Sequence, residues 1–247
     1  MSSAPSQIAF ITGANQGIGL ATAKSLARDH GYHVIIGSRN LEAGEKAAAD
    51  IRAAGHKASA VQLDLNKPES IESAVSTIKR DFGYLDVLIN NAGILIDTKP
   101  EQFKDTWDLY SKTLETNVTG PAVLTEALLP LLKEAKAKPA RLVFVSTTMA
   151  SITMSLDKTT PWYPIDYTAY DVSKAAVNML MSNFDRKLQG TGTKVNVVCP
   201  GLVSSNLTQH KFGTTTEEGA IQLVKMATLG EDGPTGTFTR ADQALPW

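Results

Sequence analysis

The sequence predicts an α/β fold, a doubly wound parallel sheet with helices on both faces. Three observations carry that expectation. Short runs rich in Val and Ile show no polar alternation, as strands buried on both faces require. Longer helical patterns separate these runs from end to end, which is the signature of β-α-β units. A glycine-rich turn also stands where the first run passes into the first helical pattern.

Taken in order, the strands are "QIAFIT" (7–12), "HVIIGS" (33–38), "ASAVQLD" (58–64), "LDVLIN" (85–90), "RLVFVS" (141–146) and "KVNVVC" (194–199). Helices are expected at 18–29, 41–54, 68–82, 101–134 and 168–188, the fourth broken near Thr116 to Pro121. A helix near 216–228 then leads to a seventh strand, "GTFTR" (236–240). No linker, repeat or low-complexity tract interrupts this, so residues 1–247 read as one domain. Long connections at 148–167 and 201–216 leave the carboxyl edge of the sheet, where open α/β sheets bind ligands. Trp162, Tyr163 and Phe212 lie in these loops and read as pocket wall and lid, implying an apolar, fairly large substrate.

Composition narrows the function. With 43% hydrophobic and 20% charged residues and a net charge of −1, the chain has no general attraction for nucleic acid or anionic lipid. No stretch approaches the roughly 20 apolar residues of a membrane span, and the N-terminus lacks the pattern of a signal peptide. A single cysteine, Cys199, excludes an internal disulfide and reads as a small packed residue; a reducing, cytoplasmic setting fits best. His30, His33, His56 and His210 have no spacing that suggests a metal site. Met149, Met154, Met179 and Met181 read as core filling, with lining of a substrate pocket as the alternative.

Two motifs carry chemistry. In "TGANQGIGLA", Gly13, Gly17 and Gly19 open the first helix, allowing a tight turn, close approach of backbone to a pyrophosphate and close helix–strand packing. The helix N-terminus adds free N–H groups and partial positive charge. In "YTAYDVSKAAVNML", Tyr170 and Lys174 stand one turn apart and so share a helix face. Alone such a pair is usually a solvated surface pair; the sharper reading is a proton-transfer pair.

Together with "NNAG" (Asn90 to Gly93) after the fourth strand, Asn117 and Pro200-Gly201, these motifs resemble the short-chain dehydrogenase/reductase family over essentially the whole chain. The resemblance implies a Rossmann-type sheet of about seven parallel strands, a nicotinamide cofactor and carbonyl/alcohol chemistry of the carbonyl reductase kind. The second strand ends in Ser38 and Arg39, followed by Asn40, where an acidic residue would hold the ribose of NAD. A hydroxyl and a fixed cation suit a 2′-phosphate, so NADP(H) is favoured over NAD(H). Asn15 could add an amide donor, while NADP-preferring relatives often carry a basic residue in place of Gln16.

Other positions follow from the resemblance. Ile18 lies in the glycine motif; Asp64 and Leu65 should flank the adenine, and Asn91, Ala92 and Gly93 the adenosine ribose. Pro200, Gly201, Val203 and Ser205 match the nicotinamide-side turn. For Asp64 a loop-capping role is the alternative. Tyr170 is expected to serve as acid/base, with the Lys174 ammonium lowering the phenol's pKa of about 10 and binding ribose. Thr147, with Ser146 as its rival, should hold the substrate oxygen. Asn117 should position a water, or else be a satisfied helix-interior amide. The expected partner is a small apolar or aromatic carbonyl or alcohol. A homodimer or homotetramer is open, as is a monomer in which the 148–167 loop covers the shared surface. The competing function is a catalytically silent NADP(H)-binding sensor, which would need neither Tyr170 nor Lys174.

Overall fold

A computed structural model describes residues 6–210 and 213–247. Seven strands are parallel: β1 (Ile8–Thr12), β2 (His33–Ser38), β3 (Ala58–Gln62), β4 (Val87–Asn90), β5 (Arg141–Val145), β6 (Lys194–Val198) and β7 (Thr237–Arg240). They lie in the order β3-β2-β1-β4-β5-β6-β7, and the two-residue β8 (Gln243–Ala244) adds an antiparallel edge. Helices α1 (Gly17–His30), α2 (Leu41–Ala53), α3 (Pro68–Asp81), α4 (Thr106–Leu114), α5 (Gly120–Lys133), α6 (Ile152–Ser155), α7 (Thr168–Lys187) and α8 (Thr216–Ala227) complete the alternation.

The strands β1 to β6 feed both sides of the sheet, because successive side chains point to opposite faces. Ile8 and Phe10 of β1, Leu142 and Phe144 of β5, and Val195 and Val197 of β6 enter one core with Ile71 and Ile78 of α3, Leu124 and Leu128 of α5, and Val177 and Met181 of α7. The intervening residues Ala9 and Ile11, and Val143 and Val145, enter the other core, with Leu26 of α1, Ile51 of α2 and Leu223 of α8. This explains the uninterrupted apolar runs. Asp86, just before β4, is fully buried. Its Oδ2 accepts from Ile8 N (2.7 Å) and its Oδ1 from Lys136 N and Ala137 N (2.8 and 2.7 Å). A carboxylate so supplied with backbone donors has its desolvation offset.

Two expectations are corrected. The fourth helical stretch does not break near Thr116 to Pro121: Glu115–Thr119 form a π-helical turn that joins α4 to α5, with Leu114, Thr119 and Gly120 all in the right-handed helical region. A π turn inserts one residue into the ladder without ending the helix, and it often marks a functional position. Gly120 closes that turn against β3's outgoing loop, where a Cβ would lie 2.4 Å from Leu65 O. Met179, expected in the core, is 60% exposed on α7, whereas Met181 is buried. Phe212, expected as lid, lies outside the described residues. No helix is long and apolar enough to cross a membrane among the described residues.

Candidate active site

The strand order reverses between β1 and β4, and the crevice at their carboxyl ends is where an α/β sheet receives a nucleotide. Both sides of that crevice are tied to each other. Thr12 Oγ1 accepts from Asn91 N (3.0 Å) and Ala92 N (2.9 Å), and Asn91 Nδ2 donates to Thr12 O (2.8 Å). Gly13 and Gly17 take φ of +64° and +59°, where side chains are strained. Gly19 is needed for space instead: a Cβ there would lie 2.5 Å from Asn91 Nδ2 and 2.8 Å from Gly13 O. Gln16, ahead of α1, gives no side-chain cap, and no acid occupies the first helical turn. The donors of α1 are therefore unclaimed by side chains among the described residues, which suits a pyrophosphate. Ile18 and Asn15 are half-buried in the same loop.

Around the expected adenosine end the residues divide. Arg39 is exposed and makes no ion pair among the described residues, so its guanidinium is available to a phosphate. Ser38 is buried and its Oγ donates to Asn40 O (2.8 Å), while Asn40 Oδ1 caps α2 through Ala43 N (2.9 Å). Ser38 thus shapes the turn rather than offering its proton. Asp64 closes its own turn, accepting from Asn66 N at Oδ1 (3.1 Å) and from Lys67 N at its carbonyl (3.1 Å), and Leu65 is buried in the core. Gln16 Oε1 accepts from Asn206 Nδ2 (2.7 Å), and Asn206 Oδ1 meets His210 Nε2 (2.6 Å), so the loop after β6 reaches the glycine loop. Ser205 sits in that loop within a turn held by Thr208; Val203 is buried, and Gly201 (φ +81°) follows Pro200.

At the other end, Tyr170 and Lys174 of α7 are both buried, with Lys174 Nζ 5.7 Å from the centre of the Tyr170 ring. Lys174 is held twice from the end of β5: its Nζ donates to Val145 O (2.9 Å), and its carbonyl accepts from Ser146 Oγ (3.2 Å). Ser146 has therefore spent its proton on the helix. Thr147 is half-buried, and its Oγ1 accepts from Met149 N (3.3 Å), leaving the hydroxyl proton without an acceptor among the described residues. Asn117, in the π turn, is engaged at both amide atoms: Oδ1 accepts from Ile94 N (2.8 Å), and Nδ2 donates to Ile94 O (2.9 Å) and Ser173 Oγ (3.0 Å). Its side chain clamps the chain after Gly93. A Cβ at Gly93 would lie 3.2 Å from both Asn117 Oδ1 and Lys174 Nζ, so the Asn-Asn-Ala-Gly turn abuts the lysine directly.

The electrostatics depart from expectation. Burial, not the nearby ammonium, dominates the phenol. Burial pushes Tyr170 well above its ordinary value, with Cys199, Asp171 and Asp97 adding in the same direction. The Lys174 amine is aimed at Val145 O rather than the phenol oxygen, and its own burial lowers it to about 8. Asp171, next to Tyr170, is raised to about 7 by burial and then by Asp97 and Asp166. Tyr170 is accordingly a protonated acid through the neutral range. Thr12, present in the motif but given no role there, joins the site, as do Asp97, Asp171 and Ser173, which were not expected. Thr12 belongs to the glycine motif and so carries a local signal, but Asp97 meets α7 from 72 residues away, and no local pattern reports that.

The family model described as short chain dehydrogenase matches residues 7–215. The short-chain dehydrogenase/reductase ATR10 of Stachybotrys chlorohalonatus is 37% identical over 273 residues, spanning 98% of this chain and 94% of that protein. Carbonyl reductase (NADPH) 1 of Mus musculus is 30% identical over 278 residues, spanning 97% and 98%. The crystal structure of NADPH-bound carbonyl reductase from chicken fatty liver superposes with a TM-score of 0.84 at 25% identity, each chain covered to 98%.

Proposed function

The chain belongs to the short-chain dehydrogenase family, an oxidoreductase family, and from that premise we propose that it interconverts a ketone or aldehyde and its alcohol with NADP(H). The observation that carries this reading is the buried Tyr170–Lys174 pair set against the Asn-Asn-Ala-Gly turn. A silent cofactor sensor has no use for an acid and an amine sealed from water at this edge, since each costs desolvation free energy.

The glycine loop and the open α1 N-terminus would hold the pyrophosphate, Arg39 the 2′-phosphate, and Asn91 to Gly93 the ribose side. When bound, the reduced nicotinamide supplies the hydride. Tyr170 gives its proton to the carbonyl oxygen as that oxygen takes up negative charge, and in the reverse direction takes it back. Thr147 donates a hydrogen bond to the same oxygen, fixing its distance from the phenol. Lys174, anchored by Val145 O, places positive charge near the phenol ring when protonated. Burial favours the neutral phenol, so the resting site is poised for reduction.

The test is consumption of NADPH against NADH over a panel of aromatic and aliphatic carbonyls, repeated with Arg39→Asp. We expect NADPH to be preferred by at least about tenfold and Arg39→Asp to erase that preference, as loss of a charge-assisted phosphate contact requires. Equal or better use of NADH by the wild type would overturn the cofactor assignment; tight NADPH binding without turnover of any carbonyl would favour the sensor.

A further inference from the structure

We propose that Asp97 is a positioning residue for this reaction: it caps α7 from the segment following the Asn-Asn-Ala-Gly turn and so fixes Tyr170 relative to that turn. Helix α7 begins without help from its own flank, because Tyr167 at the N-cap position makes no side-chain cap. Asp97 Oδ1 instead accepts from Ala169 N (2.9 Å) and Tyr170 N (3.4 Å), the second and third residues of the helix. Those are the donors a capping side chain normally satisfies. Here the cap arrives from a distant part of the chain, and one of its two donors is the backbone of the proposed acid itself.

The segment is anchored at its other end too. Ile94 is clamped through both backbone groups by Asn117, and Gly93 abuts Asn117 and Lys174. Residues 93–97 therefore form a short strap from the nucleotide edge to the start of the catalytic helix. The strap also brings charge. Asp97 Oδ2 and Asp171 Oδ1 are both buried without a hydrogen-bond partner among the described residues. Asp171 faces Asp97 and Asp166, while Tyr170 faces Asp97, Asp171, Cys199 and the Lys174 amine. Like charges at this spot disfavour ionisation of both Asp171 and the phenol, consistent with their raised values.

The inference rests on the proposed reaction. Its test compares Asp97→Ala with Asp97→Asn in the full chain. Asp97→Ala should lower kcat for carbonyl reduction at least about tenfold, since small misplacements of an acid are costly, with the NADPH Kd within about twofold. Asp97→Asn keeps the Oδ1 acceptor and should recover most of kcat. It should nevertheless move the pH limb for alcohol oxidation to lower pH, and the Asp171 carboxyl titration, followed by NMR, down from near 7. Unchanged kcat in Asp97→Ala would overturn the proposal, as would equal losses in both variants with neither titration moved. If Asp97→Ala fails to fold, the Asp97→Asn titrations decide. A wild-type chain that turns over no carbonyl defeats the reaction, yet the Asp171 titration still tests the strap.

Discussion

At the proposed phosphate end, Gly13, Gly19, the Thr12 hydroxyl and the Asn91 side-chain amide meet so closely that only glycine fits at position 19; at the proposed chemical end, Tyr170 and Lys174 are placed by burial and by partners from other parts of the chain. The first arrangement is steric, the second electrostatic and positional. Damage should therefore read out differently: as lost binding and stability at one end, as lost rate and altered pH dependence at the other.

Tyr170→Phe should give the largest effect, a fall in kcat of about 10³-fold with NADPH affinity held within about twofold, because only the transferable proton is removed. A matching loss of NADPH binding would erase the distinction between the ends. Next, Thr147→Val should reduce kcat by about 10²-fold, the scale of one hydrogen-bond donor to a developing oxyanion. Ser146→Ala should cost far less, since that hydroxyl is committed to Lys174 O. The reverse ranking in steady-state assays would move the donor to Ser146.

At the steric end, Gly19→Ala should destabilise the fold by about 2 kcal/mol in urea unfolding and weaken NADPH binding, as overpacking against Asn91 Nδ2 and Gly13 O demands. Gly17→Ala should cost about 1 kcal/mol, because its φ is positive but nothing lies within 4 Å of the new methyl. Equal costs would mean that strain, not space, governs the loop. Smallest is Asp171→Asn. A carboxyl raised to about 7 holds its proton in the folded state where the unfolded chain, at about 3.9, has lost it; stability therefore falls as pH rises from about 4 to 7. The substitution should raise Tm by about 2 °C at pH 8 and leave it unchanged at pH 4, a modest figure because the group is partly solvated. A gain at pH 4 as well would assign the effect to packing.

Much of this fold is legible in the order of residues alone. The strand runs end within two residues of the observed limits, because a strand buried on both faces has to be apolar throughout. The glycine loop and the Tyr170–Lys174 spacing are equally plain, since turn geometry and helix periodicity are local properties. The helix expected to break near Thr116 to Pro121 runs on; the π turn brings Gly120 against Leu65 O and aims Asn117 at Ile94. Ser38, expected to offer its hydroxyl to a phosphate, donates instead to Asn40 O, and Asp64 Oδ1 takes the loop-capping role that was its alternative, each with a partner two residues away.

By itself, then, the sequence determined what depends on residues near one another: the alternation of strand and helix, the glycines where backbone must turn, and a phenol and amine on one helical face. Tertiary structure alone decided the direction in which the pair's pKa values move and the cap on its helix. Burial lowers Lys174 to about 8 and keeps the phenol neutral, and Asp97 reaches Tyr170 across 73 positions of chain. Desolvation and through-space charge depend on which surfaces are brought together in three dimensions, and no spacing along the chain encodes that directly.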